Sequence, residues 1–241
     1  MPDRNFTTAE SRPLAGFTLL ITAMNDLLID RLKDALNADG YVYLPGFLSP
    51  DAVRDLRERV EGFVATTVPR LPGGQAMYED ANDPATLKQV FGLENHDEAF
   101  ADLLRASPFR HLAETLLDDA VVPRILEYFN KPPRIGKPTP PHQDNFYFML
   151  DPPLALTMWL ALEDVDEETG CVRYVRGSHR GGLRPHGRTQ TLGFSQAITD
   201  FGTPADRAAA VAFPARAGDL LVHHAMTVHW AEGNRSPVRS R

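Results

Sequence analysis

Two residues pose the chemical question. In "TPPHQDNFYFML" (139–150), His142 and Asp144 stand two apart behind a pair of prolines, with an aromatic-rich run after them. Along a strand, side chains two apart share a face. An imidazole and a carboxylate would then approach one ion together, with Gln143 turned away. Such donors suit Fe(II), Mn(II) or Zn(II), but a third is needed to hold the ion. Candidates lie in "GDLLVHHAMTVHWAEGNRS", where Gly218-Asp219 turns into an apolar strand and His223, His224 and His229 follow. Strand alternation does not choose among them. His96, His111, His179 and His186 stand in polar or loop settings and read as solvated or hydrogen-bonding residues.

The elements that must position these groups divide the chain in two. Over 26–37 the apolar residues Leu27, Leu28, Leu32 and Leu36 recur at helical spacing, and a short strand is expected in "GYVYLPGF". In "SPDAVRDLRERVEGFVATTV", Ser49 reads as N-cap and Pro50 as the first helical residue, with Val53, Leu56, Val60 and Val64 on one face. "DEAFADLLRASPFRHLAETLLD" reads as helix broken near Ser107-Pro108. Beyond about residue 120, "VVPRILEYFN", "ALTMWLALEDV", "CVRYVRGSH" and "GDLLVHHAMTVHW" are short, rich in branched and aromatic residues, and bounded by turn formers. Helices first and strands later predict an α+β fold with N-terminal helices packed outside a sheet or barrel. The stretch 184–211 is the longest loop candidate and is expected to lie over an opening.

A chain of 241 residues suits one domain. Residues 26–241 are expected to form it, behind a flexible leader over 1–25; Met24 is an alternative start. Arg241 falls in what reads as the beginning of a strand, so the domain is expected to continue past it. Asp and Glu outnumber Lys and Arg, 32 to 25, so no overall positive field recommends a nucleic acid partner. The apolar run at 14–24 is too short to span a bilayer, and no signal-type cleavage site follows it. Cys171 is the lone cysteine, which rules out an intrachain disulfide and suits a reducing cytoplasm, the expected location. Nothing in the sequence sets the oligomeric state.

Taken together, "PPHQD", Trp159, "DEETGCVRYVRGSH", "GDLL" and "HWAEGNRSPVRSR" resemble the phytanoyl-CoA dioxygenase family of non-haem iron, 2-oxoglutarate-dependent oxygenases, from about Gly40 to Arg241. The resemblance implies a double-stranded β-helix of the jelly-roll, cupin-like kind. It implies that His142, Asp144 and His229 ligate Fe(II) and serve catalysis, with His224 at a position that is not a ligand. It implies 2-oxoglutarate and O2 as cosubstrates, a small-molecule substrate, and hydroxylation of a C–H bond with release of succinate and CO2. Related halogenases lack the carboxylate, so Asp144 favours hydroxylation or desaturation. Lys88 and Trp159 match cosubstrate-contacting positions. The family's arginine anchor for the far carboxylate falls about eleven residues after the distal histidine; here Arg239 and Arg241 flank that spacing, and Arg241 is favoured. Glu127 stands where relatives often carry an uncharged cosubstrate contact and is left out of the set. Phe146, Tyr147 and Phe148 suggest a partly apolar pocket wall, and Arg180, Arg184 and Arg188 are candidate contacts to an anionic substrate. Two other readings of the same residues are a metal-retaining sensor without turnover and a cupin-like metal hydrolase.

Overall fold

The computed structural model of the protein describes residues 26–105 and 107–241. The expected leader over 1–25 and the alternative start at Met24 lie outside them. In chain order the elements are α1 (Asp26–Asp39), β1 (Tyr41–Leu44), α2 (Pro50–Thr66), β2 (Ala76–Tyr78), β3 (Leu87–Phe91), α3 (Glu98–Arg105), α4 (Pro108–Leu117), β4 (Glu127–Phe129) and β5 (Thr139–His142). There follow α5 (Asn145–Phe148), β6 (Leu156–Leu160), β7 (Val172–Val175), β8 (His186–Arg188), β9 (Gln196–Ile198), α6 (Pro204–Ala209), β10 (Ala210–Phe213), β11 (Leu220–His224) and β12 (His229–Ala231). Among the described residues no helix is long and apolar enough to cross a membrane.

Two antiparallel sheets carry the site, one ordered β1-β11-β6 and the other β10-β7-β12-β5. Alternation along β11 explains how they face each other. Leu220 and Val222 join Val42 and Leu44 of β1 against Leu36 of α1 and Leu56 of α2. Leu221 points the other way, into a cluster with Tyr41, Val172 and Tyr174 that spans the gap between the sheets. A strand buried on both faces reads as a continuous apolar run, which is what "GDLLV" is. Asp219 pins the entry to β11, accepting from the Tyr43 hydroxyl at 2.5 Å and from the backbone of Gly46 and Arg216 at 2.7 Å each.

The helical half follows its caps. Ser49 Oγ accepts from the backbone N–H of Ala52 at 3.2 Å, with Pro50 behind it at the first helical position, and Ser107 does the same for Phe109. Two glycines allow close approach at the turns that matter. Gly40 has φ +85°, and a Cβ there would lie 2.6 Å from Thr227 Oγ1, the group that donates to the Gly40 carbonyl at 2.7 Å. A Cβ on Gly170, φ +83°, would strike the Glu232 carbonyl at 2.2 Å. The first closes the β11–β12 turn onto β1, and the second seats the loop before β7 on the exit of β12.

Lys88 stands on β3, the centre of a small sheet ordered β2-β3-β4. Two expectations need correction. The stretch 184–211 is not an open loop: it contains the β8–β9 hairpin and α6, the latter closed by a Thr203–Asp206 capping box. The aromatic run after Asp144 is not strand, because β5 stops at His142 and 145–148 is a helical turn. Asn145 closes that turn through its side chain, which donates to the Leu150 carbonyl at 3.1 Å and accepts from its N–H at 3.3 Å. Phe146 and Phe148 therefore do not extend one face towards a cavity: Phe146 stacks on His186, and Phe148 is exposed.

Candidate metal centre

β12 lies between β5 and β7, and its register sets His229 directly opposite His142 on one side and Tyr174 on the other. The pairing with β5 slips between His229 and Ala231, a bulge of the kind that re-aims a side chain. Asp144 then arrives from outside the strand, with φ −60° and ψ −32°, at the foot of α5. Ligand-capable atoms of His142, Asp144 and His229 lie within 4.8 Å of one another.

The donor chemistry fits a metal ion. His142 Nδ1 donates to the Pro140 carbonyl at 2.8 Å and His229 Nδ1 to the Thr227 carbonyl at 3.0 Å. Each ring thereby presents Nε2 as a lone pair, an arrangement typical of metal-ligating histidines. Both Nε2 atoms face the same carboxylate oxygen, Asp144 Oδ1, at 3.4 and 3.5 Å. Burial, with His142 beside it, holds His229 well below its usual pKa, so the imidazole is neutral and able to ligate. Burial alone would raise the Asp144 pKa, but the surrounding imidazoles, His229 first among them, outweigh it and hold it well below its usual value. Oδ2 is engaged separately, by Thr157 Oγ1 at 2.6 Å and His223 Nε2 at 3.0 Å.

His223 was not singled out in the sequence from its neighbours; it is buried in the same cluster, its ring 4.3 Å from that of His229. His224 lies on the opposite face, where Nδ1 accepts from the Met226 N–H and shapes the turn. His186, read as a solvated or hydrogen-bonding residue, is the latter and lies next to Gln143: its Nε2 accepts from the Gln143 N–H at 3.3 Å. Gln143 does turn away, and is fully buried; it donates to the carbonyls of Gly182 and Met226 and accepts from the Arg184 N–H. The guanidinium of Arg184 is spent on Asp200 and Asp206, and that of Arg180 on the carbonyls of Asn37 and Ala38, so neither is free for a substrate.

A second group of side chains is basic, with Lys131 close enough to feel the charges of both Arg241 and Lys88. The Arg241 guanidinium sits 5.2 Å over the Trp159 ring. Its Nε is buried and has no hydrogen-bond partner, and burial brings its pKa down to about 10. The Arg239 guanidinium is instead at the surface, paired with Asp166 at 2.7 Å and Glu168 at 2.6 Å. Lys88 is buried on β3 and forms an ion pair with Glu79 at 3.1 Å; its Nζ has no partner that meets hydrogen-bond geometry. Lys131 is also buried, its Nζ donating to the Ala231 and Glu232 carbonyls. Burial, then the charges of Arg241 and Lys88, push its pKa down to about 6. Crowded buried cations with unpartnered nitrogens are what a small dianion would relieve. Near the ligands, Phe194 of the β8–β9 hairpin packs 4.9 Å from the His142 ring and 5.8 Å from Phe129. Glu127, two residues before Phe129, accepts from Gln89 Nε2 at 2.9 Å; burial pushes its carboxyl pKa up, and Asp144 adds to this. A separate surface groove of about 870 Å³, bordered by Tyr43, Asp219 and Arg239, contains none of the triad.

A family model for phytanoyl-CoA dioxygenase (PhyH) matches residues 36–241. The chain belongs to the phytanoyl-CoA dioxygenase family. Phytanoyl-CoA dioxygenase 1 of Oryza sativa subsp. japonica is 28% identical over 247 residues, covering 88% of this chain and 85% of that protein. The Arabidopsis thaliana phytanoyl-CoA dioxygenase is 27% identical, covering 84% and 82%. Among solved structures, the epimerase SnoN in complex with Fe3+, alpha ketoglutarate and nogalamycin RO is 26% identical with a TM-score of 0.67, covering 90% of this chain and 81% of that one. EvdO2 from Micromonospora carbonacea var. aurantiaca, complexed with 2-oxoglutarate, is 27% identical with a TM-score of 0.63, covering 88% and 86%. EctD from S. alaskensis, at 21% identity and a TM-score of 0.72 over 98% and 82%, shares the fold. This member of the family is thus a mixed helix-and-sheet protein of the jelly-roll type shared by iron- and 2-oxoglutarate-dependent oxygenases.

Proposed function

We propose that this chain is a non-haem Fe(II)- and 2-oxoglutarate-dependent dioxygenase that hydroxylates a C–H bond of a small-molecule substrate, releasing succinate and CO2. In this reading residues 26–241 act as one oxygenase domain, working in the cytoplasm. The observation that carries it is the convergence of two carbonyl-pinned imidazoles on one carboxylate oxygen, in a protein that also holds an arginine whose buried Nε has no hydrogen-bond partner.

His142, Asp144 and His229 would hold the iron, which would in turn bind a 2-oxo acid and O2. The iron, with 2-oxoglutarate and O2, supplies the oxidising power that protein side chains lack. The protein binds and orients. Arg241 receives the far carboxylate of 2-oxoglutarate in its planar fork, and the Trp159 ring beneath the guanidinium fixes its direction. Lys88 adds positive charge towards that carboxylate, sharing its ammonium with Glu79. Phe194 and Phe129 give the site an apolar border that keeps water from the reacting bond.

The test is succinate formation. Protein loaded anaerobically with Fe(II) and 2-oxoglutarate is exposed to O2 across a panel of metabolites, with His142→Ala as control. Succinate above the control is expected, with one oxygen atom added to the substrate that stimulates it. Succinate no higher than in His142→Ala, under any condition, refutes the oxygenase reading. A product of unchanged mass refutes hydroxylation alone.

A further inference from the structure

We infer that His223 is a positioning residue that, with Thr157 and Tyr174, holds Asp144 as a one-oxygen ligand. The inference rests on the metal-centre reading above.

The two oxygens of Asp144 have different surroundings. Oδ1 faces the Nε2 atoms of His142 and His229. Oδ2 accepts two hydrogen bonds, from Thr157 Oγ1 and His223 Nε2. A carboxylate oxygen offers about two lone-pair sites, so these donors fill them. They come from facing positions: His223 and Thr157 are directly paired across β11 and β6. Because a carboxylate can only accept, the proton is on His223 Nε2, and Nδ1 is free to accept. Its partner is the Tyr174 hydroxyl at 2.9 Å. Tyr174 is fully buried and stacks on Tyr41, ring centroids 4.7 Å apart, so the relay ends in the rigid core between the sheets.

This arrangement also explains why a third imidazole so near the triad is not a ligand. Its only nitrogen facing the site is spent on Oδ2, and the mutually close donor set is His142, Asp144 and His229 without it. The consequence is functional. A carboxylate that swung both oxygens onto the ion would occupy one of the positions that the 2-oxo acid and O2 need. Thr157 alone is a weak restraint, since its hydroxyl rotates; the imidazole is planar and held at both ends.

The experiment uses Co(II) as the probe, titrated anaerobically into the full chain, with affinity and the visible d–d spectrum as readouts. Loss of an outer partner of a metal ligand typically costs about 10–100-fold in affinity, and His223→Leu is expected to lie in that range with an altered spectrum. His223→Gln places an amide N–H donor at the reach of Nε2 and is expected to return the spectrum to that of the parent. Tyr174→Phe keeps the ring in the core and removes only the hydroxyl. It is expected to alter the spectrum in the same direction as His223→Leu, and it carries the test if His223→Leu does not fold. A parent-like affinity and spectrum in His223→Leu, or in Tyr174→Phe where the leucine variant is unfolded, overturns the inference. Failure of the underlying reading looks different: His142→Ala would then bind Co(II) as well as the parent does.

Discussion

Removing the Arg241 guanidinium should weaken 2-oxoglutarate binding far more than removing that of Arg239, although each lies one residue from the family spacing. The difference comes from where each side chain lies. Arg241 sits over Trp159 with a buried, unpartnered Nε, and burial brings its pKa down to about 10. A carboxylate arriving there forms a desolvated, charge-assisted pair. Truncating one partner of such a pair costs roughly 2–5 kcal/mol, which at RT of about 0.59 kcal/mol is about 30- to 5,000-fold in the dissociation constant. Arg239 is engaged at the surface by Asp166 and Glu168, and its loss should leave 2-oxoglutarate affinity within about twofold. Arg241→Lys keeps the charge and loses the fork, so it should fall between the parent and Arg241→Ala. The assay is anaerobic titration of the Fe(II)-loaded protein with 2-oxoglutarate, followed by its charge-transfer absorption, with the Michaelis constant for succinate formation as a second measure. A larger effect at Arg239 than at Arg241, or none at either, refutes the placement of the anchor.

Asp144→Ala should abolish succinate formation through lost iron affinity, seen directly as iron retained after desalting; full retention would remove Asp144 from the ligand set. Asp219 is predicted to matter for stability. Although burial would raise its pKa, the Tyr43 hydroxyl and the Gly46 and Arg216 N–H groups hold it below the usual value. A carboxyl whose folded pKa is depressed stabilises the fold above the unfolded value of about 3.9, and that contribution is lost as pH falls through the folded value. Asp219→Asn should therefore cost about 1–3 kcal/mol at neutral pH and flatten the loss of stability below pH ~4. Urea unfolding at neutral and acid pH measures both, and superimposable parent and variant curves would contradict the assignment.

Much of this arrangement was legible because its signals are local. Ser49-Pro50 and Ser107-Pro108 start helices wherever they occur before an apolar stripe, and both do so here. The triad was recoverable only through a resemblance that spans distant motifs, since register between β5 and β12 is set by partners 87 residues apart (229 − 142 = 87). Position 223 was hidden for a physical reason. β11 is buried on both faces, one against the helices and one against the second sheet, so polarity along "LLVHH" cannot say which histidine looks inward. The strand reading of "HQDNFYFML" failed because its aromatic residues favour strand, while the turn is closed by Asn145, whose side chain bonds the backbone at Leu150.

That failure changes how the carboxylate must be understood. Had Asp144 continued β5, the pleat would have aimed it beside His142 without help. Placed instead at the start of a helical turn, its side chain is not aligned by any ladder. Its direction is set by what grips Oδ2, namely Thr157 from β6 and His223 from β11, across the gap between the sheets. The histidines are oriented by the chain leading into them, each by the carbonyl two residues before it. The one ligand that leaves its strand is also the one that takes hydrogen bonds from the opposite sheet, so the facing of the two sheets, rather than β5 alone, fixes the geometry of the centre.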